Sequence, residues 1–116
     1  MEYKVIFYED ENGNSPVREF LYELKRRQPA LFAITASGLV MLQDRKNHGE
    51  PLTRSVGEGL LEMRRGRKDI SRVLWFFAAG RKIILVHGFV KKGNDLPGNH
   101  RQIALRRMAE YLRRFQ

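Results

Sequence analysis

The stretch from Gly59 to Lys92 constrains this chain most, because it admits strands and little else. Three runs rich in β-branched and aromatic residues, Leu60–Arg65, Ile70–Ala78 and Lys82–Lys92, are parted by short polar breaks. The runs are too short for long helices, and their composition suits a pleated sheet. Gly66, Arg67, Lys68 and Asp69 make the first break. Ala79 and Gly80 make the second, where glycine supplies the positive φ of a tight hairpin.

Alternation along the strands divides these residues between two faces. Leu61, Met63, Val73, Trp75, Phe77, Ile84, Val86 and Val90 fall on one face, nearly all apolar and suited to helices. Glu62, Arg64, Arg72, His87 and Lys91 fall on the other, beside Ile70, Leu74, Phe76, Ile83, Leu85 and Phe89. That second face is apolar at one end and charged at the other. A two-residue loop at Ala79-Gly80 would pair Ala78 with Arg81 and set Arg72 opposite His87. A first turn centred on Arg67 would set Arg72 opposite Glu62. The expected result is a cross-strand row, Glu62–Arg72–His87, with Arg64 and Lys91 close by. Glu62 and Arg72 could form a simple ion pair, worth ~0–1 kcal/mol if exposed. A row that also gathers several cations has a cost unless an anion joins it.

The 116 residues suffice for one domain, and with 42% of them apolar a real core can form. The absence of cysteine excludes disulfides and thiolate metal sites. No signal peptide and no membrane span is expected, which leaves a soluble cytoplasmic protein as the default. Charge is uneven. Residues 1–50 hold 7 basic and 8 acidic side chains, residues 51–116 hold 15 and 5, and the formal net charge is +9. Such asymmetry points to a polyanionic partner, most often nucleic acid, though an acidic protein would also fit.

Before the strand-rich stretch, Tyr3–Tyr8 reads as a first strand. Ser15-Pro16 opens a helix, serine as its cap and proline in its first turn, that ends near Arg27 before Pro29. A second helix should run from about Ala30 to Lys46, antiparallel to the first, with Gly38 permitting close helix approach. Residues 47–58 read as a loop, with His48 on its surface. Gly93–Asn99 is a second loop, and a last helix runs from Asn99 to Phe115. Its arginines, Arg101, Arg106, Arg107, Arg113 and Arg114, form either a solvated face or a phosphate-contacting one. The order is β-α-α-β-β-β-α, an α+β domain with a mainly antiparallel sheet, an N-terminal helical hairpin and a C-terminal helix.

The residue types leave few chemistries open. Three scattered histidines without clustered acids do not make a metal site, and no cofactor is expected. No phosphate-binding glycine loop and no nucleophile elbow occur. What remains is a metal-free basic site. RNA can be cleaved at such a site, because the 2′-hydroxyl is an internal nucleophile. Arginine stabilises the charged phosphorane, and histidine or a lysine moves protons. Arg64, Arg72, His87, Lys91 and His100 match those tasks.

Gly59-Leu60-Leu61-Glu62-Met63-Arg64, the strand from Arg72 to Phe76, His87-Gly88-Phe89-Val90-Lys91-Lys92, and Pro97 followed by Ala104 and Arg107 together form a pattern. With it the whole chain resembles the RelE/ParE superfamily of toxin–antitoxin toxins, and within it the phage-derived, HigB-like subgroup. The resemblance implies a microbial-RNase-like fold. It also implies an mRNA endonuclease, usually acting on ribosome-bound message, and a helix-turn-helix antitoxin as partner. By that resemblance Arg72 matches the arginine at the scissile phosphate, Arg64 a basic residue on the preceding strand, and Lys91 or Lys92 the basic strand end. His100 stands where many relatives carry Glu, and Glu62 where some potent nucleases carry Lys. His87 or His100 would serve as acid or base, while His87 could equally be a buried structural residue. Arg65, Lys68, Lys92, Arg101 and Arg107 would bind RNA around the reacting phosphate. Two other readings stay open: a DNA gyrase inhibitor of the ParE kind, and a non-catalytic nucleic-acid-binding protein of the same fold.

Overall fold

A computed structural model describes residues 2–92 and 99–115. The elements run β1 (Lys4–Phe7), α1 (Pro16–Arg27), α2 (Pro29–Met41), a 3-10 turn (Arg45–Asn47), β2 (Thr53–Gly57), β3 (Leu60–Gly66), β4 (Asp69–Ala78), β5 (Lys82–Lys92) and α3 (His100–Phe115). The five strands form one mixed sheet in the order β1-β5-β4-β3-β2. The edge strand β1 pairs parallel with β5, and the other pairings are antiparallel. The protein is thus α+β, with three α-helices and a five-stranded sheet.

The expected order lacked one strand. Thr53–Gly57, inside the expected loop, pairs with β3. The turn that returns it holds Gly57, Glu58 and Gly59, all at positive φ. Those glycines supply the left-handed backbone of a hairpin turn.

α1 starts at Pro16 and ends at Arg27 as expected, but Ser15 makes no side-chain cap. Its hydroxyl is buried without a partner among the described residues. α2 stops at Met41 rather than Lys46, where Asn47 Nδ2 donates to the Met41 carbonyl at 2.9 Å and the chain tightens into the 3-10 turn. Gly38 does permit a close approach, but to the sheet rather than to α1. A Cβ there would lie 2.9 Å from Met63 Sδ on β3. His48 is half-buried rather than a free surface residue. Its ring packs at 4.7 Å from Tyr3 and 5.3 Å from Phe77, and Nε2 meets the Leu42 carbonyl at 2.6 Å.

Both hairpin registers differ from expectation. Ala78 pairs with Lys82, so the β4–β5 loop has three residues, with Gly80 and Arg81 at positive φ. That turn alone would set Arg72 opposite Gly88; one extra residue in β5 moves it on to Phe89, and on its other side it faces Arg64. A β-bulge follows: Trp75 pairs with Leu85 but Leu74 with His87, leaving Val86 as the extra residue. A bulge turns two successive side chains toward one face and reverses the alternation beyond it. Ile83 and Leu85 therefore belong with α1 and α2, and Ile84 and Val86 with α3, the opposite of the regular pattern. His87 nonetheless lands on the α3 face, as its bonds to that helix show.

Two cores result. Met63, Val73, Trp75, Ile83 and Leu85 pack against Val17 and Leu21 of α1 and Leu39 of α2. Leu60, Leu74, Phe76, Ile84 and Val86 pack against Ala104 and Tyr111 of α3. Among the described residues no helix is long and apolar enough to cross a membrane.

Candidate functional site

α3 packs chiefly on β5 and β4, and its first turn reaches β2 through the Arg101 side chain, which donates to the Val56 carbonyl. Between them opens a cleft of about 470 Å³, lined by Arg54, Val56, Glu62, Arg72, Leu74, Phe89 and residues 99–102. Asn99 starts α3 by accepting the first helical bond from the Ile103 amide at 3.0 Å, which sets His100 and Arg101 at the cleft wall.

Arg72 and Glu62 form the floor, only 8% and 5% exposed. They are not directly opposite, since Glu62 pairs with Leu74. They are diagonal neighbours on one face, within reach of long side chains. Arg72 Nη1 donates to both Glu62 oxygens, at 3.4 and 3.2 Å. Arg54 Nε approaches the same carboxylate at 3.4 Å, and Arg64 Nε at 4.0 Å. Three guanidinium groups around one carboxylate leave two positive charges in excess, which favours a bound anion. Arg72 Nε is also buried without an acceptor among the described residues. An orphaned buried donor costs about 1–3 kcal/mol, which a ligand oxygen reached by a small shift of the side chain would relieve.

The opposite wall carries two imidazoles. His87 Nε2 lies 2.8 Å from His100 Nδ1, and His87 Nδ1 lies 3.0 Å from Arg107 Nη1. The same Arg107 nitrogen donates to the Val86 carbonyl at 2.8 Å. The His100 ring stacks on Phe89 at 3.8 Å, nearly parallel. Burial, then the Arg107 charge and His100, push the His87 pKa down to about 4. Burial also lowers that of His100.

The residues expected to act together separate into groups. Arg72 and His100 line the cleft, and His87 sits behind His100. The row Glu62–Arg72–His87 does not form as a straight cross-strand line, because Arg72 faces Phe89. Arg64 stands at the rim, on the cleft side by its approach to Glu62. Lys91 pairs with Ile70, two positions beyond Phe89 along β5. Arg101 lines the cleft but donates to Glu58 Oε1 at 3.0 Å and to the Val56 carbonyl at 3.2 Å. Arg107 is an internal strut for His87 rather than a free cation. Arg65 turns to the other side, where Nε donates to the Ile34 carbonyl at 2.9 Å. Lys68 lies on the exposed β3–β4 turn, beside Gln28 and Pro29. The Lys92 side chain and Pro97 lie outside the described residues.

Arg54 was missed, because its strand was read as a loop. The alternation of Leu52, Arg54 and Val56 with Thr53 and Ser55, followed by Gly-Glu-Gly, was the available signal. A second hollow, about 430 Å³, lies beside Lys46, Arg64, Arg65 and Arg67. It holds surface cations, whereas the cleft holds buried and orphaned polar groups; the cleft is the stronger candidate.

No curated protein is similar enough to the chain to count as a match. The family model described as Phage derived protein Gp49-like (DUF891) matches residues 19–109, which include most of α1, all of α2, β2 to β5 and the cleft-lining part of α3. The chain therefore belongs to the phage-derived Gp49-like family, part of the RelE-like toxin group, a placement consistent with a toxin–antitoxin toxin.

Proposed function

We propose that this protein is a metal-independent mRNA endonuclease, the toxin of a HigB-like toxin–antitoxin pair whose partner is a helix-turn-helix antitoxin. The observation that carries the reading is Arg72, sunk in the cleft floor with a buried donor unpaired among the described residues and two further arginines beside it. Guanidinium groups fixed where charge develops are what a phosphorane transition state needs.

In this reading Arg72 holds a non-bridging phosphate oxygen of the scissile link. The 2′-oxygen attacks phosphorus and gives up its proton. Glu62, the acid among the described cleft residues, is the group at hand to accept it. His87 cannot, since both its ring nitrogens are engaged. The 5′-oxygen departs with a proton, which the Lys91 ammonium, farther along β5 on the same face, would supply. Phe89, stacked against His100, gives the cleft an apolar wall beside the reacting phosphate.

The test is a cell-free translation reaction with purified protein and end-labelled message. Message cut to fragments with 2′,3′-cyclic or 3′-phosphate ends supports the reading. Arg72→Ala should lower that cleavage at least ~10²-fold. Message left intact, with or without ribosomes, would reject it and turn attention to gyrase inhibition.

A further inference from the structure

The two imidazoles and Arg107 form a hydrogen-bonded chain whose direction is fixed by chemistry. Arginine can only donate. Arg107 Nη1 therefore requires a lone pair on His87 Nδ1, 3.0 Å away. A neutral His87 then carries its proton on Nε2 and donates it to His100 Nδ1, 2.8 Å away. His100 Nδ1 in turn must be a lone pair, so the His100 proton sits on Nε2. We infer that Arg107 is a positioning residue: acting through His87, it fixes His100 as the Nε2–H tautomer, so that the cleft wall offers a hydrogen-bond donor and no basic lone pair.

The bulge in β5 makes this arrangement possible. Val86, the extra residue, has no partner on β4, and its carbonyl anchors the Arg107 guanidinium at 2.8 Å. The same bulge turns His87 toward α3. Stacking on Phe89 holds the plane of the His100 ring. A depressed His87 pKa agrees with a ring kept neutral. Among the described residues, the charged groups that face the pair are Arg107 and Arg101 on α3, Arg72 on β4, Arg54 on β2, and the carboxylate of Glu62 on β3. The significance of the inference for chemistry rests on the nuclease reading above, where His100 would then bind a phosphate oxygen instead of acting as base. Its truth does not.

The experiment is nitrogen-15 NMR of histidine-labelled, ligand-free protein at pH 7.5, which reads the tautomer of each ring without any substrate. Both His87 and His100 should carry their protons on Nε2. Arg107→Met removes the donor and should release both rings into tautomer mixtures, with the His87 pKa rising toward 6.5; Arg107→Lys, which keeps a donor, should restore part of the wild-type pattern. Wild-type spectra alone decide the matter if Arg107→Met fails to fold. A proton on Nδ1 of either ring in the wild type, or a folded Arg107→Met protein with unchanged tautomers, would overturn the inference. Added inorganic phosphate should shift the His100 Nε2 resonance ahead of either Nδ1, and a larger shift at His100 Nδ1 would also overturn it. A protein with the stated tautomers that cuts no message would leave the inference standing and sink only the nuclease reading.

Discussion

On one face of the sheet, α1 and α2 bury Met63, Val73, Trp75, Ile83 and Leu85 in a continuous apolar layer. On the other, α3 covers Leu74, Phe76, Ile84 and Val86 but begins only at His100, leaving Glu62 and Arg72 at the floor of a cleft. The strands are the same; only the coverage differs. The first face spends its side chains on packing. The second keeps a half-covered region in which buried charge is tolerated because several arginines share one carboxylate. Replacements on the first face should act on stability, and replacements around the cleft mainly on binding and chemistry.

The largest stability effect should come from Trp75→Ala. Trp75 is fully buried, and its indole Nε1 donates to Thr53 Oγ1 at 3.2 Å. Loss of the ring should cost about 3–5 kcal/mol, read as a fall in the urea midpoint. A change below ~1 kcal/mol would break the distinction between the faces. Gly88→Ala comes next. A Cβ at Gly88 would overlap the Phe20 ring, so α1 or β5 must shift, at about 1–3 kcal/mol.

The same contrast explains what could be read from the sequence. The three long strands, α1 and α3 were legible because each combines a period with breakers at its ends: Ser15-Pro16 before α1, Gly66 and Gly80 between strands. The membership of Leu61, Met63, Val73, Trp75 and Phe77 in one face followed from strict alternation. Alternation failed in β5, where the bulge at Val86 exchanges the faces, and no residue type at positions 83–87 announces a bulge. Register failed for a related reason. Arg81 takes a positive φ, which the sequence does not advertise in a non-glycine residue, so the turn gains a residue, and together with the bulge at Val86 this brings Arg72 opposite Phe89. The Glu62–Arg72 pair survived these errors, because arginine is long enough to reach a diagonal neighbour. The Arg107–His87–His100 chain was out of reach, since it joins a strand to a helix across a bulge and residues 93–98.

His87 gives a pH test of how the charged face is built. The folded protein keeps the ring neutral down to about pH 4, against an ordinary value of 6.5 in the unfolded chain. Between those values the unfolded state binds more protons. Stability is therefore fully present above pH 6.5 and falls as the pH drops toward 4. The urea midpoint of the wild type should decline over that window. His87→Gln should flatten the decline relative to wild type, and equal slopes for the two proteins would show that the ring is not held neutral.

The smallest stability effect belongs to the cleft rim, and it sharpens the comparison most. Arg101 and Glu58 form an ion pair with side chains 44% and 64% exposed. Such a pair contributes little, so Arg101→Ala should change stability by less than ~1 kcal/mol. The guanidinium nonetheless lines the cleft and carries one of the charges that would meet a nucleic-acid backbone. Binding of a non-cleavable single-stranded oligonucleotide, with 2′-deoxyribose at the scissile position, should weaken in this variant. The slope of log affinity against log salt should become shallower by about 0.7, the value for one lost phosphate contact on a single strand. An unchanged slope would mean that the Glu58 pair holds Arg101 away from the ligand. The phosphate path would then run across Arg54 and Arg64, the two exposed arginines that share Glu62 with Arg72.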